Sequence, residues 1–132
     1  MNRIFLFITL LTTSLATIAQ GEVKDQVVNA MGTGNAAALG RTLVANIDLT
    51  VLNTSEYYSK AQAEQILKKF FDDQKPQGLV IEHEGTSNMG DSYYIGRLKT
   101  VNGEFRVTFF LKKTNEVYQV KQLRIENANK NR

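Results

Sequence analysis

Residues 92–113 read "SYYIGRLKTVNGEFRVTFFLKK", and this stretch decides the fold class. Two runs of alternating character flank Asn102-Gly103. Asn-Gly is the strongest two-residue hairpin signal, because both central positions of the favoured turn need positive φ. A loop at Asn102-Gly103 sets Val101 opposite Glu104. Counting back pairs Thr100 with Phe105, Leu98 with Val107, Gly96 with Phe109, and Tyr94 with Leu111. Directly opposite residues share a face. That face is apolar and is expected to meet a layer of helices. The other face carries Tyr93, Ile95, Arg97, Lys99, Arg106, Thr108, Phe110 and Lys112. It is half apolar and half basic, more than a solvated face needs.

Upstream, the turn signal "NMGD" at 88–91 joins this hairpin to "VIEHEGTS", residues 80–87, which holds the chain's single histidine. A loop at 88–91 sets Ser87 opposite Ser92, Gly85 opposite Tyr94, His83 opposite Gly96 and Ile81 opposite Leu98. His83 then joins the helix-facing side beside Tyr94. Glu82 and Glu84 point the other way, since side chains alternate along a strand. Glu82 lands across from Arg97 as a cross-strand ion pair. The three polar neighbours therefore form no single site. His83 has two readings. It is a core histidine hydrogen-bonded to a tyrosine or to backbone, or it is a pocket residue for which Gly96 leaves room.

Downstream, "TN" at 114–115 marks a further turn, so the region after Leu79 reads as an antiparallel meander. The earlier chain is mostly helical. "EVKDQVVNAM" spaces Val23, Val27, Val28 and Met31 as one helix face, and Gly32 and Gly34 end it. "NAAALGRTL" reads as a short second helix with Asn35 as N-cap. "VANIDLTVL" alternates with period two and reads as a strand with Ala45, Ile47, Leu49 and Val51 on its apolar face. "SKAQAEQILKKFFDD" is the clearest helix. Ser59 and Gln62 form a capping box, Ala63, Ile66, Leu67 and Phe70 make the stripe, and Pro76 and Gly78 follow its end. Helices first, then a strand, a helix and a meander imply an α+β domain with helices on one face of a curved antiparallel sheet.

The 132 residues allow a single domain. The start, "MNRIFLFITLLTTSLATIAQ", places Arg3 before an apolar run and small residues at Ala16 and Ala19. That is the layout of a secretory signal peptide over residues 1–20, with cleavage after Ala19 or Gln20. Residues 21–132 then form the mature domain, which is exported to the periplasm or the medium. The competing readings are a membrane anchor or a buried first helix. The run is shorter than the ~20 residues that span a bilayer, so no stable anchor is expected after cleavage. With no cysteine there is no disulfide framework, thiol nucleophile or lipidation site. A formal charge of +3, mixed with acidic residues, gives no argument for nucleic acid. One histidine and no cysteine leave too few ligands for zinc, and nothing else implies a metal or cofactor. No nucleophile elbow supports a Ser-His-Asp triad. "GTG" at 32–34 lacks the rest of a phosphate loop, and "NTS" at 53–55 matches a glycosylation sequon that matters only in a eukaryotic host.

Three segments carry a resemblance: "SKAQAEQILKKFF", "YYIGRL" with "GEFRVTFFLKK", and "QLRIEN". Together with the element order they resemble the nuclear transport factor 2-like (cystatin-like) superfamily, and within it a family of small secreted bacterial proteins of unknown function. The resemblance covers residues 21–127. It implies a cone, with helices over a curved sheet and a pocket between them, and often dimerisation through the outer sheet face. Catalytic members of the superfamily place acidic or histidine residues in the pocket. Only His83 matches that pattern here, so no catalytic residue carries over.

The function expected is non-catalytic: binding of a small apolar ligand in the cone, or of a protein through the sheet. Tyr57, Tyr58, His83 and Tyr94 are the candidate residues at the cone mouth. Tyr93, Ile95, Arg97, Arg106 and Phe110 are the candidates for a homodimer interface on the outer face, since clustered exposed apolar groups mark interaction sites. The alternative is a pocket enzyme, an isomerase or hydrolase with His83 as general base. Such an enzyme needs a second titrating group within reach, and an Asp48 beside His83 in an open cavity would favour it.

Overall fold

Helix α1 (Gln20–Thr33) turns Val23, Val27, Ala30 and Met31 into the core. It ends at Gly34, whose φ of 69° is left-handed and lets its N–H reach back to the carbonyls of Ala30 and Met31. Asn35 then caps helix α2 (Ala36–Gly40), its side chain accepting from the Ala38 N–H at 3.0 Å. The structure, a computed structural model, describes residues 19–128. The expected signal segment lies outside those residues except for Ala19 and Gln20.

Strand β1 (Leu43–Val51) leads through a turn at Leu52, where φ is 56°, into strand β2 (Thr54–Ser59). Ser59 ends β2 and starts helix α3 (Lys60–Gln74) with the expected capping box: its Oγ accepts from the Gln62 N–H and Gln62 Oε1 accepts from the Ser59 N–H. Ala63, Leu67, Phe70 and Phe71 form the buried stripe of α3. Strands β3 (Pro76–Thr86), β4 (Ser92–Thr100), β5 (Gly103–Thr114) and β6 (Val117–Asn127) follow as the meander.

The six strands lie in the order β2-β1-β6-β5-β4-β3. Sequence patterning implied an antiparallel sheet, but β1 runs parallel to β6, so the sheet is mixed. The chain crosses through α3 and the first meander strands before β6 returns beside β1. β2 was not legible as a strand: nearly all of "TSEYYS" is exposed on this edge, so no burial alternation marks it.

The helix-facing side of the sheet is the apolar one, as the alternation implied. Tyr94, Leu98, Phe105, Val107, Phe109 and Leu111 are buried there against the helices. Their pairing differs from the expected one by two residues: Leu98 faces Phe105 and Tyr94 faces Phe109, because the loop is Val101-Asn102 and Gly103 already pairs with Thr100. A shift of two keeps every side chain on its face. The turn moved because it docks on the end of α3, where the Val101 N–H donates to the carbonyls of Gln74 and Lys75, and Asn102 Nδ2 donates to the Asp73 carbonyl. In β1, Ala45 is exposed rather than inward, since the register with β6 shifts between Leu43 and Asp48.

Large apolar side chains fill the space between helices and sheet. Met31, Leu39, Leu67, Leu98, Phe109 and Leu123 are fully buried. Phe70 meets Phe105 edge-on at 5.2 Å, and Tyr94 stacks on Phe109 at 5.0 Å. Among the described residues no buried side-chain polar atom lacks a hydrogen-bond partner.

Candidate functional site

The decisive local feature is a β-bulge at Glu82. Ile81 pairs with Gly96, but His83 pairs with Ile95, so one residue of β3 has no partner on β4. A bulge changes the facing of everything beyond it by one. Ile81 stays inward as expected. His83 does not: it follows Ile95 onto the outer face and is exposed. Glu84 pairs with Tyr94 instead and turns to the inner rim, where Lys24 Nζ lies 3.7 Å from it. The sequence reading of His83 as a helix-facing residue beside Tyr94 is thereby corrected, and so is the pairing of Gly85 with Tyr94.

Gly96 explains where the strands come close. A Cβ there would lie 2.6 Å from the Val80 carbonyl oxygen, so only glycine lets β3 cross β4 at this distance. The bulge occurs on the edge strand one step along, a common site for re-aiming a side chain.

On the outer face, residues line up in rows across the sheet. One row runs Gly85, Tyr93, Phe110, Gln122, Asp48, Tyr57. Tyr93 lies over Gly85 and packs on Phe110 with ring centroids 5.8 Å apart. Gln122 Nε2 donates to Asp48 at 2.9 Å. The next row holds His83, Ile95, Thr108 and Arg124. The third holds Arg97, Arg106 and Glu126, joined by Glu82 at the bulge. Arg97 lies 3.0 Å from Glu82 and 3.1 Å from Glu104, while Arg124 lies 3.5 Å from Glu126. The expected Glu82–Arg97 ion pair is present. Ile95 and Phe110 sit diagonally rather than directly opposite, since Tyr93 is Phe110's partner.

All five interface candidates, Tyr93, Ile95, Arg97, Arg106 and Phe110, thus share the outer face. The four cone-mouth candidates do not converge. Tyr57 is 68% exposed and pairs with Asp48, which puts it on the outer row. Tyr58 points the other way, into a crevice of about 280 Å³ walled by Val51, Leu52, Ile66 and Phe70. His83 lies on the outer face of the edge strand β3. Tyr94 is 3% exposed in the core, and its hydroxyl accepts from Gln20 Nε2 at 2.6 Å at the polar mouth of the cone. Tyr57 and Tyr58 are adjacent in a strand, and alternation alone would have separated them had β2 been recognised.

Asp48 is four strand spacings from His83, about 19 Å at ~4.8 Å per strand, with β6, β5 and β4 between them. The pairing that would have favoured general-base chemistry is therefore not formed. Sequence reasoning also left out Gln122, Arg124 and Glu126. The alternation of Leu123 and Ile125 in "QLRIEN" was the signal that puts them outward.

A family model described as Domain of unknown function (DUF4783) matches residues 24–126. This chain belongs to the DUF4783 family. A DUF4783 family protein from Bacteroides fragilis YCH46 is 35% identical with a TM-score of 0.73, over 78% of this chain and 96% of that one. Another from Bacteroides ovatus ATCC 8483 is 32% identical, also at 0.73, over 79% and 94%. An NTF2-like protein of unknown function from Cytophaga hutchinsonii ATCC 33406 is similar in fold, at 12% identity and a TM-score of 0.58 over 87% and 92%. No curated protein matches. The DUF4783 domain thus has the NTF2-like α+β fold, as the sequence resemblance implied.

Proposed function

We propose that this DUF4783 domain is an exported, non-catalytic binding domain that joins a second copy of itself through the outer face of the sheet. The observation that carries the reading is the Tyr93–Phe110 pair beside Ile95, set in the middle of that face with no helix of the described residues over it. Around it stand three arginines, Arg97, Arg106 and Arg124, and three glutamates, Glu82, Glu104 and Glu126. Lys99 and Lys112 add to the bases at the edge of the face. A two-fold interface brings the same patch against itself, and a patch that carries both signs can set the glutamates of one copy against the bases of the other. The packing between helices and sheet supports the same choice, because Met31, Leu39, Leu67, Leu98 and Phe109 are fully buried there.

Sedimentation at micromolar concentration tests it. The wild-type domain is expected to be a dimer and Phe110→Glu a monomer. A monomeric wild type removes the reading, and a dimer indifferent to the substitution moves the interface to another surface. Export is tested by mass spectrometry of secreted material, which is expected to begin at Gln20 or Gly21.

One observation favours a second reading. The crevice at Tyr58 is mostly apolar and has Lys69, Asp73 and Gln74 at its rim. At about 280 Å³ it is near the lower limit for a small-molecule site, and a compact apolar ligand would enter there rather than in the cone.

A further inference from the structure

Among the described residues, Arg106 differs from its neighbours in having no acid of its own. It stands directly opposite Arg97 on the outer face, and like charges in that position destabilise a sheet unless something offsets them. For Arg97 the offset is double, from Glu82 and Glu104. Glu126 is paired across the strands with Arg106, but its carboxylate is turned to Arg124. Among the described residues no carboxylate lies within ion-pair distance of the Arg106 guanidinium.

Arg106 is also half-buried, in a cavity of about 320 Å³ that the bulge helps to build. Its walls are Arg106, Arg97 and Ala128 on one side and Glu82 and His83 on the other, with Ile95 and the Gly96 backbone as the floor. His83 and Arg106 stand two strands and one row apart, about 10 Å across the strands and about 7 Å along them at the usual spacings. That gap holds a small ligand between an imidazole and a guanidinium fork. Without the bulge at Glu82, His83 would point inward and the cavity would lose one wall. Glu82, the acid closest to hand, is held aside by Arg97.

From this geometry we infer that the cavity is a carboxylate-binding site. Arg106 takes both carboxylate oxygens, since a planar guanidinium matches them in a bidentate fork. The His83 ring donates from the opposite wall, and Ile95 contacts a short apolar body. The carboxylate has two possible sources, a small organic acid or a glutamate of a second copy. The site is carried by the unpaired Arg106 and the bulge, and does not depend on self-association.

The test uses butyrate as probe, with butylammonium and sulfate at equal ionic strength as controls, and reads the side-chain NMR signals of Arg106 and His83. Butyrate is expected to move both signals saturably, while butylammonium does not. Arg106→Gln is expected to weaken binding at least tenfold, and Lys112→Gln, on the same face but outside the cavity, to leave it unchanged. Unsaturable shifts shared by all three salts overturn the site, as does undiminished binding in a folded Arg106→Gln variant. Repeating the titration over a range of protein concentrations separates the sources. Affinity independent of concentration marks a site for a free acid. Affinity that falls as the protein associates marks a glutamate of the second copy as the occupant. Sedimentation reads association separately, so a monomeric protein that binds butyrate refutes the dimer and not this site.

Discussion

Gly96→Ala is the substitution that most directly tests how the bulge and the outer site are built. The new Cβ would sit 2.6 Å from the Val80 carbonyl oxygen, 3.1 Å from Ile81 Cδ1 and 3.2 Å from Leu79 Cδ1. The two side-chain ends can rotate away, but the carbonyl belongs to the β3 backbone. Ordinary contact begins at 3.4 Å, so β3 must withdraw by about the difference between 2.6 and 3.4 Å. β3 is an edge strand and can yield on its open side, at the expense of its bonds to β4. Overpacking of this kind costs about 1–3 kcal/mol. At roughly 4 °C per kcal/mol for a domain of this size, the melting temperature falls by about 4–12 °C. Gly78→Ala on the same strand is the control, because a Cβ there meets nothing within 4 Å. Thermal unfolding followed by circular dichroism reads both, and hydrogen exchange should show faster exchange in β3 of the Gly96 variant alone. Equal melting temperatures for Gly96→Ala and wild type would refute the close crossing, and with it the account of how His83 reaches the outer face.

Two further outcomes follow from the same structure. His83→Ala is expected to change stability by no more than about 0.5 kcal/mol in denaturant unfolding, because the ring is exposed; a loss of several times that would restore a buried histidine. Ser59→Ala removes the N-cap of α3 and is expected to cost about 1 kcal/mol, and a denaturation midpoint unchanged by it would contradict the capping box.

Much of this was legible in the residues, and what was not has identifiable physical causes. The helices were read from apolar spacing and caps, and both caps formed as their side-chain chemistry dictates. The faces of β4 and β5 were read correctly even though the register was not, because the error was two residues and the side-chain period is two. The turn itself was decided by tertiary contact: Asn102 is held by the end of α3, and no local signal reports that. The bulge at Glu82 was invisible for a similar reason. It depends on how closely β3 can approach Gly96, a fact of the paired strands and not of "VIEHEGTS" alone. One unpaired residue was enough to move His83 from the expected helix-facing side to the opposite face, and with it the candidate site. Arg106 was placed on the right face from alternation, but its lack of an acid partner emerged only when Glu82, Glu104 and Glu126 were seen to be engaged elsewhere.

The central claim is that the outer face of the sheet is where this DUF4783 domain meets a second copy. The chain has no cysteine, so Lys99→Cys gives a unique attachment point for a spin label at the edge of that face. Mixing spin-labelled, unlabelled-nitrogen protein with nitrogen-15 protein lacking the label makes any paramagnetic broadening intermolecular. The account predicts broadening of the Tyr93, Ile95 and Phe110 amides, with α1 and α3 unaffected. Broadening confined to the helices, or none at all, would contradict it.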